Sequence, residues 1–318
     1  MFDIDWMMAA GAFAVAIIVG LTGMGGGALM TPMMVLLFGV SPLTAVSSDL
    51  VASAVMKPVG SAVHLRRGTV HKGLVLWLCV GSIPAAFCGV LIARALGDGE
   101  AVQHGIKIAL GCALLLASAG LVIRAYTRLV ERARRRDGRA ERLPEGPPVV
   151  TVKPLPTVLI GVVGGVVVGM TSVGSGSLII IALMMLYPGL KANELVGTDL
   201  LQAVPLVISA AIGHIMFGDF QMGLTAALLI GSIPGVFIGA QLSSRAPGGL
   251  VRRVLAFVLL ASAMKLLEFS NVVTGVVLLA LMLVAPPLWM MVRRAHGLPM
   301  LVSREQRPGV GSAPVVES

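Results

Sequence analysis

Apolar runs parted by short polar breaks follow one another along almost the whole chain. The first two runs, at about residues 6–22 and 24–38, are each about 16 residues, or roughly 24 Å as helix, which is less than the roughly 30 Å hydrocarbon core of a bilayer. Between them lies the glycine-rich stretch Thr22-Gly23-Met24-Gly25-Gly26-Gly27, so they predict two arms of a hairpin bent at the glycines. Three longer runs follow Ser41-Pro42, at about 43–65, 74–96 and 105–126. From 127 to 153 the chain turns rich in arginine and then in proline, which predicts a solvated linker. The second half repeats the order. Short arms at about 155–170 and 178–187 flank Thr171-Ser172-Val173-Gly174-Ser175-Gly176, and longer runs cover about 195–217, 222–242, 250–267 and 272–292. The polar tail carries Pro299, Pro308 and Pro314 and predicts disorder. Four parts result: a first membrane repeat (1–126), a linker (127–153), a second membrane repeat (154–294) and a tail (295–318).

The duplication is legible residue by residue. Gly20, Thr22, Gly25, Gly27 and Leu29 match Gly169, Thr171, Gly174, Gly176 and Leu178. Val46-Ser47-Ser48-Asp49-Leu50 matches Val196-Gly197-Thr198-Asp199-Leu200, His64 falls on His214, and Gly81-Ser82-Ile83-Pro84 is identical to Gly231-Ser232-Ile233-Pro234. Placing the arginine-rich linker in the cytoplasm puts the loop 66–72, Arg245 with Arg252 and Arg253, and Arg293-Arg294 on the same side. The acidic N-terminus, 97–100 and Gly218-Asp219 fall outside, as the positive-inside rule asks. The two repeats then start on opposite sides of the membrane. Such inverted repeats are the architecture of many alternating-access transporters.

Composition agrees. Residues are 57% hydrophobic and 12% charged, which excludes an ordinary soluble globule and predicts an all-α polytopic membrane protein. Aromatics at 4% and no alternating ten-residue segments exclude an outer-membrane barrel. The net charge of +9 sits in the loops, where topology accounts for it, so no nucleic-acid partner is expected. Cys79, Cys88 and Cys112 lack metal-ligand spacing and read as small buried hydrophobes. No metal or cofactor is expected.

Candidate chemistry gathers at the breaks. A glycine break that opens a helix leaves backbone N–H groups unpaired, and these, with the helix dipole, favour an anion. Thr22, Gly23, Gly25, Gly26 and Gly27 in the first break, and Thr171, Ser172, Gly174, Ser175 and Gly176 in the second, are the candidate substrate-binding residues. The glycines would equally serve close helix packing. Lys57 lies mid-run, a costly place for a charge, beside the helix-kinking Pro58. It would face the anion or pair with a carboxylate, but Asp49 is about 12 Å away along the axis, too far for a direct pair. Val207 stands at the matching position, so the site is expected to be asymmetric. Asp49 and Asp199 would carry a coupling proton or cap the broken backbone of the facing hairpin, with Gln202 extending the polar face. His64 and His214 read as interfacial residues at helix ends, Lys265 and Glu268 as a local pair, and Pro84 and Pro234 as matched kinks.

Ser47-Ser48-Asp49-Leu50 with Lys57, Arg66-Arg67-Gly68-Thr69-Val70, Gly197-Thr198-Asp199-Leu200 and Gly231-Ser232-Ile233-Pro234-Gly235 resemble the TauE/SafE family over nearly all of residues 15–290. Ser47 in place of a glycine, and Asp219-Phe220 in place of Thr69-Val70, depart from the plainer pattern. The resemblance implies an inner-membrane, multi-pass secondary transporter of a small anion, sulfite or an organosulfonate, with export as the expected direction. The N-terminus is expected outside, and the C-terminus in the cytoplasm. The alternatives are an anion channel, an accessory membrane protein, or an intramembrane enzyme, for which the sequence offers no nucleophile with a placed base. The expected partners are the anion and the lipid bilayer, and assembly of several copies stays open.

Overall fold

The computed structural model describes residues 5–22, 26–66, 68–95, 99–136, 151–190, 192–243 and 248–298. These residues are helical, with no named strand among them. The first half contains α1 (Trp6–Thr22), α2 (Gly27–Leu37), α3 (Pro42–Arg66), α4 (Lys72–Ala95) and α5 (Glu100–Arg136). The second contains α6 (Pro154–Thr171), α7 (Leu178–Leu186), α8 (Ala192–Phe217), α9 (Met222–Ser243), α10 (Gly248–Leu266) and α11 (Asn271–Ala295). Six helices, namely α4, α5, α6, α8, α9 and α11, are long and apolar enough to cross a bilayer. The chain is a multi-pass membrane protein.

The two arms of each hairpin are unequal, unlike the matched arms expected for the first. With 17 and 18 residues, α1 and α6 reach about 26 Å, whereas α2 and α7, with 11 and 9, reach about 15 Å, half a membrane. The linker also begins later than its composition suggests. Helix α5 continues through Thr127 to Arg136, so the change of composition marks where the helix leaves the apolar layer. Residues 137–150 of the linker lie outside the described residues, as do 299–318 of the tail. The start of that tail is ordered: Leu298 is buried against Leu129 and Ala133 of the α5 extension, with Trp289 and Val292 beside them.

Small residues decide which helices touch. Helix α9 runs parallel to α1, and Gly231, Gly235 and Gly239 form the seam. A Cβ added to them would fall 2.0 Å from the Ala9 carbonyl, 2.6 Å from that of Phe13 and 2.2 Å from that of Ile17. Helix α6 runs parallel to α4 in the same way, with Gly161, Gly165 and Gly169 against the backbone of Leu78, Ser82 and Ala86 at 2.4, 2.6 and 2.2 Å. In lipid, where apolar burial between helices gives little drive, such close approach supplies the packing. Each long hairpin arm thus docks on a helix of the other half.

The matched helices α3 and α8 cross antiparallel at the centre. Ser47 meets His214 near one end, and the His71 N–H, just beyond α3, meets Thr198 near the other. The matched pair α5 and α10 is antiparallel too, with Lys107 beside Glu268 at one end and Ser118 donating to the Ala256 carbonyl further along. Exchanging the halves therefore leaves the main packing pattern unchanged. Helix α11 stands outside it, exposed along nearly its whole length and anchored at its end, where Arg253 lies over the Trp289 ring at 5.6 Å. Cys88 and Cys112 are exposed on the helix surface and Cys79 is half-buried, which corrects the expectation that all three are interior.

Gly235→Leu and Gly165→Leu should each destabilise the detergent-solubilised protein at the top of the roughly 1–3 kcal/mol range for overpacking, because the obstructing atoms are backbone. Gly275→Leu on α11, with open space around it, should leave the melting temperature unchanged. Thermal unfolding of the three variants checks this.

Candidate functional site

The second break is built by three residues in left-handed or glycine-only backbone. Ser172 closes α6 at φ 59°, and Gly174 and Gly176 have φ 137° and 91°. Only glycine adopts the latter two without strain. The turn folds the N–H groups of Ser177, Leu178 and Ile179 back onto the Gly174 carbonyl, at 3.3, 3.0 and 3.4 Å. These first-turn amides of α7 are thereby satisfied locally, whereas the sequence suggested that they would be free to meet an anion. Thr171 is buried and tied to its own backbone, accepting from the Val173 N–H at 3.2 Å and donating to the Val167 carbonyl at 2.6 Å. What the second break presents to the protein centre is therefore mainly the hydroxyls of Ser172 and Ser175.

Gly23 and Gly25 of the first break, and the side chain of Thr22, lie outside the described residues. Gly26 caps α2, its carbonyl accepting from Leu29 and Met30. Gly27 lies directly on the second break: a Cβ there would sit 2.0 Å from the Ser172 carbonyl oxygen. The two hairpins meet backbone to backbone at their tips.

Helix α3 runs past this meeting point and supplies its charges. Asp49, 2% exposed, accepts from Thr31 Oγ1 of α2 at 2.9 Å and from Ser172 Oγ at 2.6 Å. One carboxyl thereby ties the first hairpin to the second through hydroxyls, whereas the sequence suggested that it would cap backbone N–H groups. Two turns on, Lys57 donates to Ser175 Oγ at 2.6 Å. The partner that lysine lacked along its own helix comes from the opposite half. Its ammonium also lies within electrostatic reach of Asp199 and Asp49.

Asp199 is placed differently from its twin. It is 1% exposed, with the Gly176 N–H and the Gln202 side chain beside it, yet its Oδ1 has no hydrogen-bond partner. Gln202 is fully buried, and its Oε1 accepts from Ser82 Oγ of α4 at 3.0 Å, while its Nε2 is unpartnered. The structure thus gathers Gly27, Asp49, Lys57, Ser172, Ser175, Gly176, Asp199 and Gln202 around the breaks, and turns Thr171 and the α7 amides inward.

Three buried contacts at the site escaped the sequence. Thr31 gave no signal. Ser82 sits in the duplicated Gly-Ser-Ile-Pro box, which is the cue that could have flagged it. His214 is not interfacial: it is fully buried, bonded through Nδ1 to Ser47 Oγ at 2.7 Å and through Nε2 to the Gly169 carbonyl at 2.8 Å. A carbonyl only accepts, so Nε2 carries the proton, and Nδ1 of the neutral ring accepts from Ser47. The serine that replaces the glycine of the second half is the partner of this histidine. His64, by contrast, stays at its helix end and pairs with Thr69 Oγ1 at 3.0 Å.

Glu268 also corrects an expectation. It bonds Lys107 of α5 at 2.9 Å, with His104 at 3.6 Å, while Lys265 donates to Asn271 Oδ1. Glu268, Lys107 and His104 line an open cavity of 770 Å³ with Pro42, Glu100 and Gln103, at one end of the bundle.

The model of the family described as "Sulfite exporter TauE/SafE" matches residues 8–266. The chain belongs to the TauE/SafE family. The match takes in both hairpins and α3 to α10, and leaves α11 beyond its end. A probable membrane transporter protein of Bacillus subtilis (strain 168), YjnA, is 40% identical over 254 residues, 80% of this chain and 96% of that protein. A second from the same organism, the probable membrane transporter protein YdhB, is 26% identical over 237 residues, covering 74% and 89%. No solved structure matches the chain. This member of the TauE/SafE family is thus similar to membrane transporters along most of its length.

Two outcomes follow from this geometry. Asp49→Asn keeps the shape but weakens two buried hydrogen bonds between the hairpins, each roughly 0.5–1.5 kcal/mol, and should lower the melting temperature more than Asp199→Asn does. The Lys107 hydrogen bond holds the exposed Glu268 carboxyl below its ordinary value of 4.5, and Lys107 and His104 charge add to this. A lowered carboxyl value means that the α5–α10 contact gains from the pair above pH 4.5 and loses that gain as the pH falls through the depressed value. The difference in melting temperature between wild type and Glu268→Gln should therefore shrink to nothing on acidification.

Proposed function

We propose that this protein is an inner-membrane secondary transporter that exports a small anion of the sulfite or organosulfonate class by alternating exposure of the two hairpin tips. The observation that carries the reading is the Lys57–Ser175 contact. It holds a buried ammonium beside serine hydroxyls where two hairpins from different halves of the chain meet. A cation at that depth needs a counter-charge, and an anion entering between Ser172, Ser175 and Lys57 provides one. The antiparallel crossing of the matched helices α3 and α8 supports inverted repeats, and the basic loops support an N-terminus outside and a C-terminus in the cytoplasm. Two symmetric halves that exchange arms offer a rocking motion about the shared centre. The family description supports sulfite as the first substrate to try.

A second reading has one observation of its own. Ser175 with Lys57 at 2.6 Å has the spacing of a nucleophile and its base. The α7 amides that would hold an oxyanion are spent on Gly174, which favours transport over hydrolysis.

Flux into proteoliposomes, with sulfite, sulfoacetate, sulfate, thiosulfate and carboxylates in turn, tests both. Saturable flux with counterflow of at least one sulfur oxyanion is expected. Lys57→Ala should raise its half-saturating concentration about 10- to 100-fold, the loss of one charge-assisted contact. Flux that neither saturates nor shows counterflow would make the protein a channel. If no anion moves and none stabilises the protein against heat, the anion reading is wrong.

A further inference from the structure

We propose that Asp199 is the proton-coupling group of this transporter and that Asp49, its counterpart in the first half, is structural. The proposal rests on the anion reading of the site. Repetition places the two carboxyls at matched positions, and the fold then treats them differently. Asp49 is committed to two hydroxyls, from Thr31 and Ser172, that join the hairpins. Asp199 is equally buried, but its Oδ1 has no partner, and neither has the neighbouring Gln202 Nε2. Ser82 holds Gln202 by its Oε1, so the unpartnered amide nitrogen is the end left to face the carboxyl. Buried polar atoms are nearly always bonded, and a cluster that is not marks a group whose partner arrives during function.

The surroundings say which partner. Lys57 on α3 feels Asp199 more strongly than Asp49, and Arg124 on α5 is within electrostatic reach of Asp199. On α8 itself Glu194 stands more than a turn away, and His71 meets the adjacent Thr198 through its backbone N–H. Helices α4, α6 and α7 bring no charge to this point among the described residues. A metal cation would need a ring of oxygens, and here the nearest free group is an amide donor, with an ammonium beyond it. A proton needs only the carboxyl.

The cycle follows from the charges. In the empty site the Lys57 ammonium balances the Asp199 carboxylate. An entering anion takes over that ammonium, and Asp199, deprived of its counter-charge, takes a proton from the solution on the same side. On the other side the anion leaves, Lys57 returns to Asp199, and the proton is released. For a monovalent anion the moving core carries the same charge empty and loaded, so anion and proton travel together without charging the membrane. The direction of net flux then follows the combined anion and proton gradients, not the membrane potential, so a high internal anion concentration drives export and an imposed pH gradient drives accumulation in liposomes.

The test uses the full chain in liposomes with radiolabelled sulfite as probe and a trapped pH dye. Wild type should accumulate sulfite under an imposed pH gradient, with proton movement, and respond little to a potassium–valinomycin potential. Asp199→Asn should keep sulfite–sulfite exchange and lose pH-driven accumulation to the level of protein-free liposomes. Asp49→Asn should reduce exchange and pH-driven flux together. The proposal is overturned by pH-driven accumulation that survives in Asp199→Asn, by sulfite flux that follows the potential and ignores pH, or by a requirement for sodium. Should no anion of the panel move in wild type, the transport reading fails on its own, and infrared titration of the purified protein decides about Asp199. A titrating carboxyl band that vanishes in Asp199→Asn and persists in Asp49→Asn supports the assignment, and its absence in wild type or its loss in Asp49→Asn overturns it.

Discussion

A polar group inside a bilayer must find its partner within the protein, because lipid offers none. The rest of this structure answers to that constraint at one place, the contact of Gly27 with Ser172. Each hairpin ends in backbone that has left the helix, in the middle of an apolar slab. The second break satisfies its own amides, but its Ser172 hydroxyl finds its partner in the other half. The first hairpin reaches Asp49 of its own half through Thr31, and the same carboxyl takes the hydroxyl of Ser172 from the other. Substituting Gly27 with any side chain would force the backbones apart and strand these hydroxyls.

That contact explains why the halves exchange arms. For the tips to meet, α1 must lie on α9 and α6 on α4, and the glycine ladders at every fourth residue allow both. It also explains the position of α3, which among the described residues buries more polar side chains than any other helix. With Ser47, Ser48, Asp49, Ser53, Lys57 and Ser61 buried, α3 would be a poor membrane helix in isolation. Enclosed by the hairpins, α8 and α9, it meets hydroxyls, a histidine and a thioether-bonded serine instead of lipid. The buried polar residues of α3 and α8 are thus the inner lining of the fold, and α4, α5, α6 and α9 pack around them.

Symmetry is kept where it serves packing and broken where it serves chemistry. The seams, the Gly-Ser-Ile-Pro boxes and the antiparallel central pair are duplicated. Lys57 opposite Val207, Ser47 opposite Gly197 and the unequal carboxyls Asp49 and Asp199 are not. A duplicated chain that kept two identical centres would hold two competing sites, whereas the divergence at a few buried positions leaves one ammonium at the shared centre. His214 shows the cost of such divergence being met locally: the Ser47 hydroxyl and the Gly169 carbonyl together satisfy both ring nitrogens.

Much of the molecule was legible in its letters. Hydropathy depends on each segment's own transfer from water to lipid, so it located the apolar helices and both breaks. Helices α1 and α6 end at Thr22 and Thr171, where the glycines begin, and the repeats could be aligned by identity alone. The length of the first hairpin was less secure, since an apolar residue scores alike in a helix or in the turn before it, and α2 came out shorter than its apolar run, whereas α7 came out at the length its run suggested. The extension of α5 to Arg136 was hidden for the converse reason, as a helix in water keeps no apolar run to announce it. Partner choice belonged to the tertiary structure alone. Lys57 with Ser175, Glu268 with Lys107 and His214 with Ser47 join residues more than a hundred positions apart, and no local pattern encodes which group waits across a helix crossing. Spacing along one helix correctly showed that Asp49 and Lys57 do not pair directly; only the crossing of the halves decided that both would answer to the same glycine break.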